Sequence, residues 1–223
     1  MSVQKNIFLE KEADSWFDRN LSALTQYSIE KDPVAKEMLK YVPTSGNLNI
    51  LEIGCSSGHR LQAIKNKNPQ LHVYGIEPSK NAIAYCKTHN KDVNISGGTV
   101  DDLSVFATSF FDVVIVGFVF YVLDRELLFK SISEIDRILK QEGHIIIIDF
   151  FANKPHKNPY HHINEQIMFS YKQDYADIFT SSKLYHLISK SSHHHTTQLE
   201  DGSSDFYNKI CVSTLIKDYA TAY

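Results

Sequence analysis

Ten consecutive residues, Asn49-Ile50-Leu51-Glu52-Ile53-Gly54-Cys55-Ser56-Ser57-Gly58, constrain this chain more than any others. An apolar run suited to a strand buried on both faces ends in an acid and breaks at once into a loop of small residues. A second apolar run, Leu71 to Ile76, is closed by Glu77. Gly54 and Gly58 supply the backbone freedom for a sharp strand-to-helix turn and for close approach to a ligand. A carboxylate at the end of the next strand, about 20 residues on, is placed to accept hydrogen bonds from both hydroxyls of a ribose. Strand, ligand loop and strand together predict a nucleoside-binding α/β unit. The loop lacks Gly-x-Gly-x-x-Gly spacing, which argues against a dinucleotide ligand.

The rest of the chain extends the alternation. Asp32-Pro33 opens a helix with a capping acid and a proline at the first helical position, followed by Val34, Ala35, Met38 and Leu39 at helical spacing. Pro43 to Gly46 form a turn before the first strand. Pro78-Ser79 starts a helix that runs to about His89. A third strand covers Val93 to Ser96, a fourth Phe111 to Phe118. Leu128, Ile132, Ile135 and Leu139 make a helical stripe; Gly143 is expected to stop it, before a buried fifth strand ending at Asp149. Two later β-rich runs, around Leu187 to Gln198 and Lys209 to Lys217, are joined by the polar stretch Leu199 to Ser204. The reading is one doubly wound α/β domain with a mostly parallel sheet and helices on both faces.

These motifs resemble, in order, those of the class I S-adenosylmethionine (SAM)-dependent methyltransferases, from about Phe8 to Lys217. Glu52, Gly54 and Gly58 match the family's acidic-x-Gly-x-Gly-x-Gly motif, with Ser56 in place of the middle glycine. Gly98-Thr99-Val100-Asp101-Asp102-Leu103 resembles Gly-Asp-Ala-x-x-Leu, with Thr99 replacing the usual acid. Arg137 to Gly143 resembles Arg-Val-Leu-Lys-Pro-Gly-Gly. The resemblance implies a Rossmann-like, seven-stranded sheet closed by a C-terminal antiparallel hairpin. It implies SAM as cofactor and S-adenosylhomocysteine as product. By the same resemblance Glu52, Gly54, Cys55, Ser56 and Gly58 take the methionine part, Glu77 and Pro78 the ribose, and Thr99, Val100 and Asp101 the adenine. Gly117, Phe118 and Tyr121 would then flank the sulfonium.

Substrate selection is expected from two segments, an N-terminal helical cap over 1–43 and an inserted lid over 151–190, within a single domain spanning 1–223. The lid begins Phe151-Ala152-Asn153-Lys154-Pro155-His156 and is rich in His and Tyr. A hydroxyl acceptor needs a base, and His161, His162 and Asp149 are the candidates. The reaction expected is methylation of a small molecule, foremost an O-methylation of a sugar or nucleotide-linked metabolite. A non-catalytic SAM-binding regulator and a different nucleotide-dependent enzyme on the same sheet are the rivals.

Composition narrows the partners. Lys and Arg number 23 against 26 acidic residues and are scattered, so a nucleic-acid partner is not expected and a small-molecule acceptor is. No apolar run reaches membrane-spanning length and no secretory signal stands at the N-terminus, so no membrane partner and a cytoplasmic location are expected. A homodimer is left open. The three cysteines, Cys55, Cys86 and Cys211, fit neither a disulfide framework nor a metal site, and no metal is expected.

Overall fold

The architecture follows from where the apolar runs fall. In the computed structural model, which describes residues 3–41, 46–163, 168–197, 202 and 207–220, seven strands form one sheet in the order β3-β2-β1-β4-β5-β9-β8. They are β1 (Asn49–Ile53), β2 (His72–Glu77), β3 (Asn94–Gly97), β4 (Phe111–Gly117), β5 (Leu139–Phe150), β8 (Tyr185–His194) and β9 (Lys209–Lys217). The first five are parallel, whereas β9 runs antiparallel between β5 and β8. A separate antiparallel pair, β6 (His156–Pro159) and β7 (Phe169–Lys172), stands off the main sheet. Parts of the turns expected at 43–46 and 199–204 lie outside the described residues.

Successive side chains of the central strands divide between two faces. Leu51, Ile53, Val114, Val116, Ile145 and Ile147 pack with Ile135 and Ile138 of α6 (Leu128–Ile138) and with Phe179 of α7 (Ala176–Thr180). Ile50, Val113, Ile115, Ile146 and Ile148 pack with Val34 and Met38 of α3 (Pro33–Tyr41), with Leu61 and Ile64 of α4 (His59–Lys67), and with Cys86 of α5 (Lys80–His89). Covered on both faces, these strands read as continuous apolar runs. Helix starts are fixed as the sequence suggests. Asp32 Oδ1 accepts from the Val34 amide at 2.8 Å, and Ser79 Oγ from the Ala82 amide at 3.0 Å.

One expectation fails at the α6–β5 junction. The helix ends at Ile138, and Leu139 is already extended and fully buried, paired with Phe111. The next pair in register is Val113 with His144, so residues 140–143 bulge out of the strand. Gly143 serves that bulge and not a helix stop: a Cβ there would come within 2.8 Å of Leu139 Cδ1 and of the Lys140 carbonyl.

The N-terminus was read as a cap without detail. It is one continuous helical rod over 3–25, made of α1 (Val3–Ile7), a π-helical turn (Phe8–Glu12) and α2 (Ala13–Thr25). This rod is tied to the loops that follow several strands. Gln4 Nε2 donates to the carbonyls of Val122 (2.6 Å) and Phe169 (2.9 Å), Lys5 Nζ reaches Asp101, and Asp14 accepts from Ser79 Oγ at 2.6 Å.

Candidate active site

The strand order reverses between β1 and β4, and there the loop after β1 opens. Gly54 has φ +74°; a Cβ on it would lie 2.6 Å from Val119 Cγ2 and 3.0 Å from the Gly117 carbonyl, so only glycine lets the loop pass. Ser56 also takes a left-handed conformation, φ +50°, which answers how it replaces a glycine in the motif. Gly58, at φ +70°, starts α4. Cys55 is buried, and burial beside Glu77 and Glu52 pushes its thiol well up, so it packs and does not react.

Glu77 closes β2 directly opposite this loop. Its Oε2 accepts from the Ser56 amide and its Oε1 from the Ser79 amide, both at 2.8 Å. Burial pushes its carboxyl up to about 7, against the opposing pull of those two amides. Pro78 follows at the rim, half-buried.

Behind the loop lies a charged network that the motif did not announce. Arg60 is ion-paired with Glu52 and donates from Nε to Asp32 at 2.6 Å, and Tyr27 donates to Asp32 at 2.7 Å. Burial pushes the Glu52 carboxyl up, while Arg60 pulls the other way. The sequence did carry a hint: a cation in the first turn of α4 is unfavourable to the helix dipole unless something else holds it. Two buried polar atoms here, Glu52 Oε2 near the end of β1 and Ser56 Oγ in the loop, have no protein partner. Buried polar atoms are ordinarily satisfied, so these two fit a polar ligand seated on the loop.

Beyond β3, the residues read as adenine contacts are tied up differently. Burial works against the Asp101 charge, yet Lys5 and Thr99 hold its pKa below the usual value. Lys5 Nζ contacts both carboxylate oxygens at 2.7–2.8 Å and Thr99 Oγ1 donates at 2.8 Å. Asp101 thereby latches the N-terminal rod, while Val100 is part of the core.

At the ends of β4 and β5 the surroundings turn aromatic. Gly117 backs onto the Glu52 carboxylate, and Phe118, at φ +53°, turns the chain outward. The half-buried rings of Phe118, Tyr121 and Phe150 stand 5.0–6.5 Å apart, and His195 lies 4.8 Å from Phe150 and 5.7 Å from Phe118. Asp149 is fully enclosed beneath them. Its Oδ2 accepts from the Tyr121 amide at 3.2 Å and its Oδ1 from the Phe150 amide at 2.8 Å, while burial pushes its carboxyl up to about 7. Those bonds make it the brace of the turn that carries Phe118 and Tyr121.

His161 and His162 are brought elsewhere. Both are exposed, their rings 3.9 Å apart and within 6 Å of the Tyr160 ring. Burial and the neighbouring His161 and Arg19 lower the pKa of His162. Tyr160, by contrast, is buried and donates to Glu12 at 2.8 Å, and Glu12 is ion-paired with Arg19. No local spacing could reveal the Glu12–Tyr160 bond, since 148 residues separate the partners.

Residues 51–147 match a family model described as a methyltransferase domain. The chain is 25% identical over 150 residues to the tRNA N(3)-methylcytidine methyltransferase of Schizosaccharomyces pombe, covering 63% of this chain and 59% of that protein. It is 32% identical over 111 residues to the demethylmenaquinone methyltransferase of Leptospira interrogans, covering 47% and 44%. The chain thus spans about half the length of these curated relatives. Among solved structures it superposes on the Burkholderia thailandensis 1,6-didemethyltoxoflavin-N1-methyltransferase, which was crystallised with its acceptor and S-adenosylhomocysteine. That match has a TM-score of 0.70 at 11% identity and covers 98% of this chain and 91% of the other. The fold is that of a class I methyltransferase. The tRNA-modifying relative overturns the exclusion of nucleic acid and the restriction to a small-molecule acceptor drawn from composition. Scattered charge measures general phosphate affinity, not whether one base enters a pocket. Among the described residues no helix is long and apolar enough to cross a membrane.

Proposed function

We propose that this chain, a SAM-dependent class I methyltransferase by its domain and fold, methylates a planar ring presented at the aromatic mouth over β4 and β5. The observation that carries the reading is a juxtaposition. The end of β1 and its loop, with two unpartnered buried polar atoms and a carboxylate opposite, stand beside β4 and β5, whose ends carry the Phe118, Tyr121 and Phe150 rings with His195 against them. Glu52 Oε2 would take the ammonium and Ser56, with the 54–58 backbone, the rest of the methionine part. Glu77 would take the ribose hydroxyls, and the backbone around Thr99 the adenine. When bound, SAM supplies an electrophilic methyl group. The chain supplies alignment and a dry enclosure.

Aromatic side chains pair with other rings offset or edge to face, and such pairing suits a flat acceptor. The two curated relatives are named for activities on cytidine in tRNA and on demethylmenaquinone, both molecules with such rings. Calorimetry with SAM, S-adenosylhomocysteine and NADH is the first test: the first two bind and NADH does not. Radiolabelled SAM is then offered with an unmodified tRNA transcript and with a demethylmenaquinone hydroquinone. Label on a ring of either supports the proposal. Binding of NADH alone overturns the cofactor, and label on a sugar hydroxyl overturns the ring and restores the oxygen acceptor anticipated from the sequence.

A further inference from the structure

The N-terminal rod is fastened to the loops on either side of the cofactor loop. Just after β2, Asp14 Oδ1 accepts from Ser79 Oγ at 2.6 Å and from the Asn81 amide at 3.1 Å. Just after β4, Gln4 Nε2 donates to the Val122 carbonyl at 2.6 Å and the Lys5 amide donates to Asp124 at 3.1 Å. β1 stands between β2 and β4 in the sheet, so the rod bridges the carboxyl end of the strand from which the 54–58 loop opens. The lengths agree: helix from Gln4 to Asp14 spans about 15 Å, and strands two apart stand about 10 Å from one another. Lys5 Nζ adds its bonds to Asp101, in the loop after β3. The polar groups of the cofactor half are closed to water. Glu52, Ser56 and Glu77 are 2%, 6% and 7% exposed, and Glu52 Oε2 and Ser56 Oγ are wholly enclosed. A ligand reaches them only past an element that moves.

The first half of the rod is held by polar bonds. Among the described residues, none of 3–12 belongs to either apolar core, and the two that are buried there, Gln4 and Glu12, are polar. Val3 and Leu9 are exposed. α2, by contrast, buries Ala13 and Phe17, and the Phe17 ring meets Tyr85 of α5. Segments with few buried apolar contacts open first. Between the two halves lies the π-helical turn Phe8–Glu12, an irregularity at which helices bend. Glu12 closes that turn, accepting from Tyr160 at 2.8 Å and ion-paired with Arg19, which fixes the hinge while the segment before it moves.

We infer that residues 3–12 form a gate on cofactor exchange. The segment swings on the π-helical turn, and SAM enters and S-adenosylhomocysteine leaves only while the bonds of Gln4 and Lys5 are open. The inference rests on the cofactor placement above and adds the route by which that cofactor is exchanged. Because residues 3–12 supply none of the cofactor contacts proposed above, opening costs the same with and without ligand. Loosening the gate therefore raises the rates of binding and release together and leaves affinity alone.

The test is the exchange of tritiated S-adenosylhomocysteine on the full chain. Association and dissociation are measured separately by rapid filtration, dissociation in an excess of unlabelled ligand. Lys5→Met and Gln4→Ala, which break the bonds at two different points, each speed both rates about tenfold, the scale of one lost hydrogen bond, while Kd stays within about threefold. Lys5→Arg retains the ion pair with Asp101 and the wild-type rates. Unchanged rates in both variants overturn the gate and leave the cofactor placement standing. Faster release with a matching loss of affinity also overturns it, by making the segment a wall of the site that touches the ligand. No binding by the wild type overturns the cofactor placement, and the gate with it.

Discussion

The two halves of the candidate site are built in opposite ways. The cofactor half is local: Glu52, Gly54, Ser56, Gly58 and Arg60 lie within one strand–loop–helix, and Glu77 meets the Ser56 amide from only 21 residues away. The acceptor half is assembled from afar, with Gln4 on the Phe169 backbone and Glu12 on Tyr160 bridging 165 and 148 residues. The first half is a charged network inside a core; the second is a set of half-buried rings under a helical rod. A local unit is fixed once its strands pair, whereas the distant one exists only if the rod docks. Substitutions in the two halves should therefore fail differently.

The largest effect is expected at Arg60. Arg60→Met leaves Glu52 and Asp32 buried without their counter-charge, a loss of about 3–5 kcal/mol in denaturant melts. A loss below about 1 kcal/mol would show that the network is not the foundation of the cofactor half.

Next comes Glu77→Gln, expected to weaken S-adenosylhomocysteine binding by about 1–3 kcal/mol, the range for hydrogen bonds to a charged group. Its pH dependence has a definite sign. The Glu77 carboxyl sits near 7 in the fold against an ordinary 4.5, so the fold holds a proton there that the unfolded chain gives up. Its stabilising contribution is complete below about pH 4.5 and is lost as pH rises to about 7. Binding runs the other way. Ribose hydroxyls donate to the ionised carboxylate, so affinity rises from pH 6 to 8 and then levels off. Calorimetry across that range should show the rise in the wild type and its absence in Glu77→Gln. Asp149, pushed to about 7 as well, adds to the stability trend, so Glu77→Gln flattens only part of it.

On the acceptor side the effects shrink. Gln4→Ala removes the buried amide that joins the rod to Val122 and Phe169, at a cost of about 1–2 kcal/mol, with hydrogen exchange quickening over 3–25 and not over β1. Uniform quickening would mean that the two halves form one cooperative unit. Smallest is His162→Ala, an exposed substitution expected to change stability by less than about 0.5 kcal/mol and cofactor affinity not at all. A clear loss of affinity there would place the histidines inside the crevice.

The same contrast explains what could be read in advance. β1, β2, β4 and the Ser79 cap carry their signals in adjacent residues, and those three strands and that helix start fall within a residue or two of expectation. Gly54, Ser56 and Gly58 share the loop between β1 and α4, and Glu77 meets its Ser56 amide. Asp101 was placed in the right loop, but its partner Lys5 lies 96 residues away, so its engagement with the rod was invisible. The early stop of α6 was hidden because a glycine suits a bulge as well as a helix end. His161 and His162 stood out by residue type, yet it is their neighbour Tyr160 that faces inward, and only its bond to Glu12 shows this.

The cradle after β1 is the premise of the whole account, and titration calorimetry of S-adenosylhomocysteine into the wild type and Glu77→Ala at pH 8 tests it most directly. The account predicts one site per chain, weakened about tenfold or more by the substitution. No heat with the wild type, or the same affinity in both proteins, would contradict it.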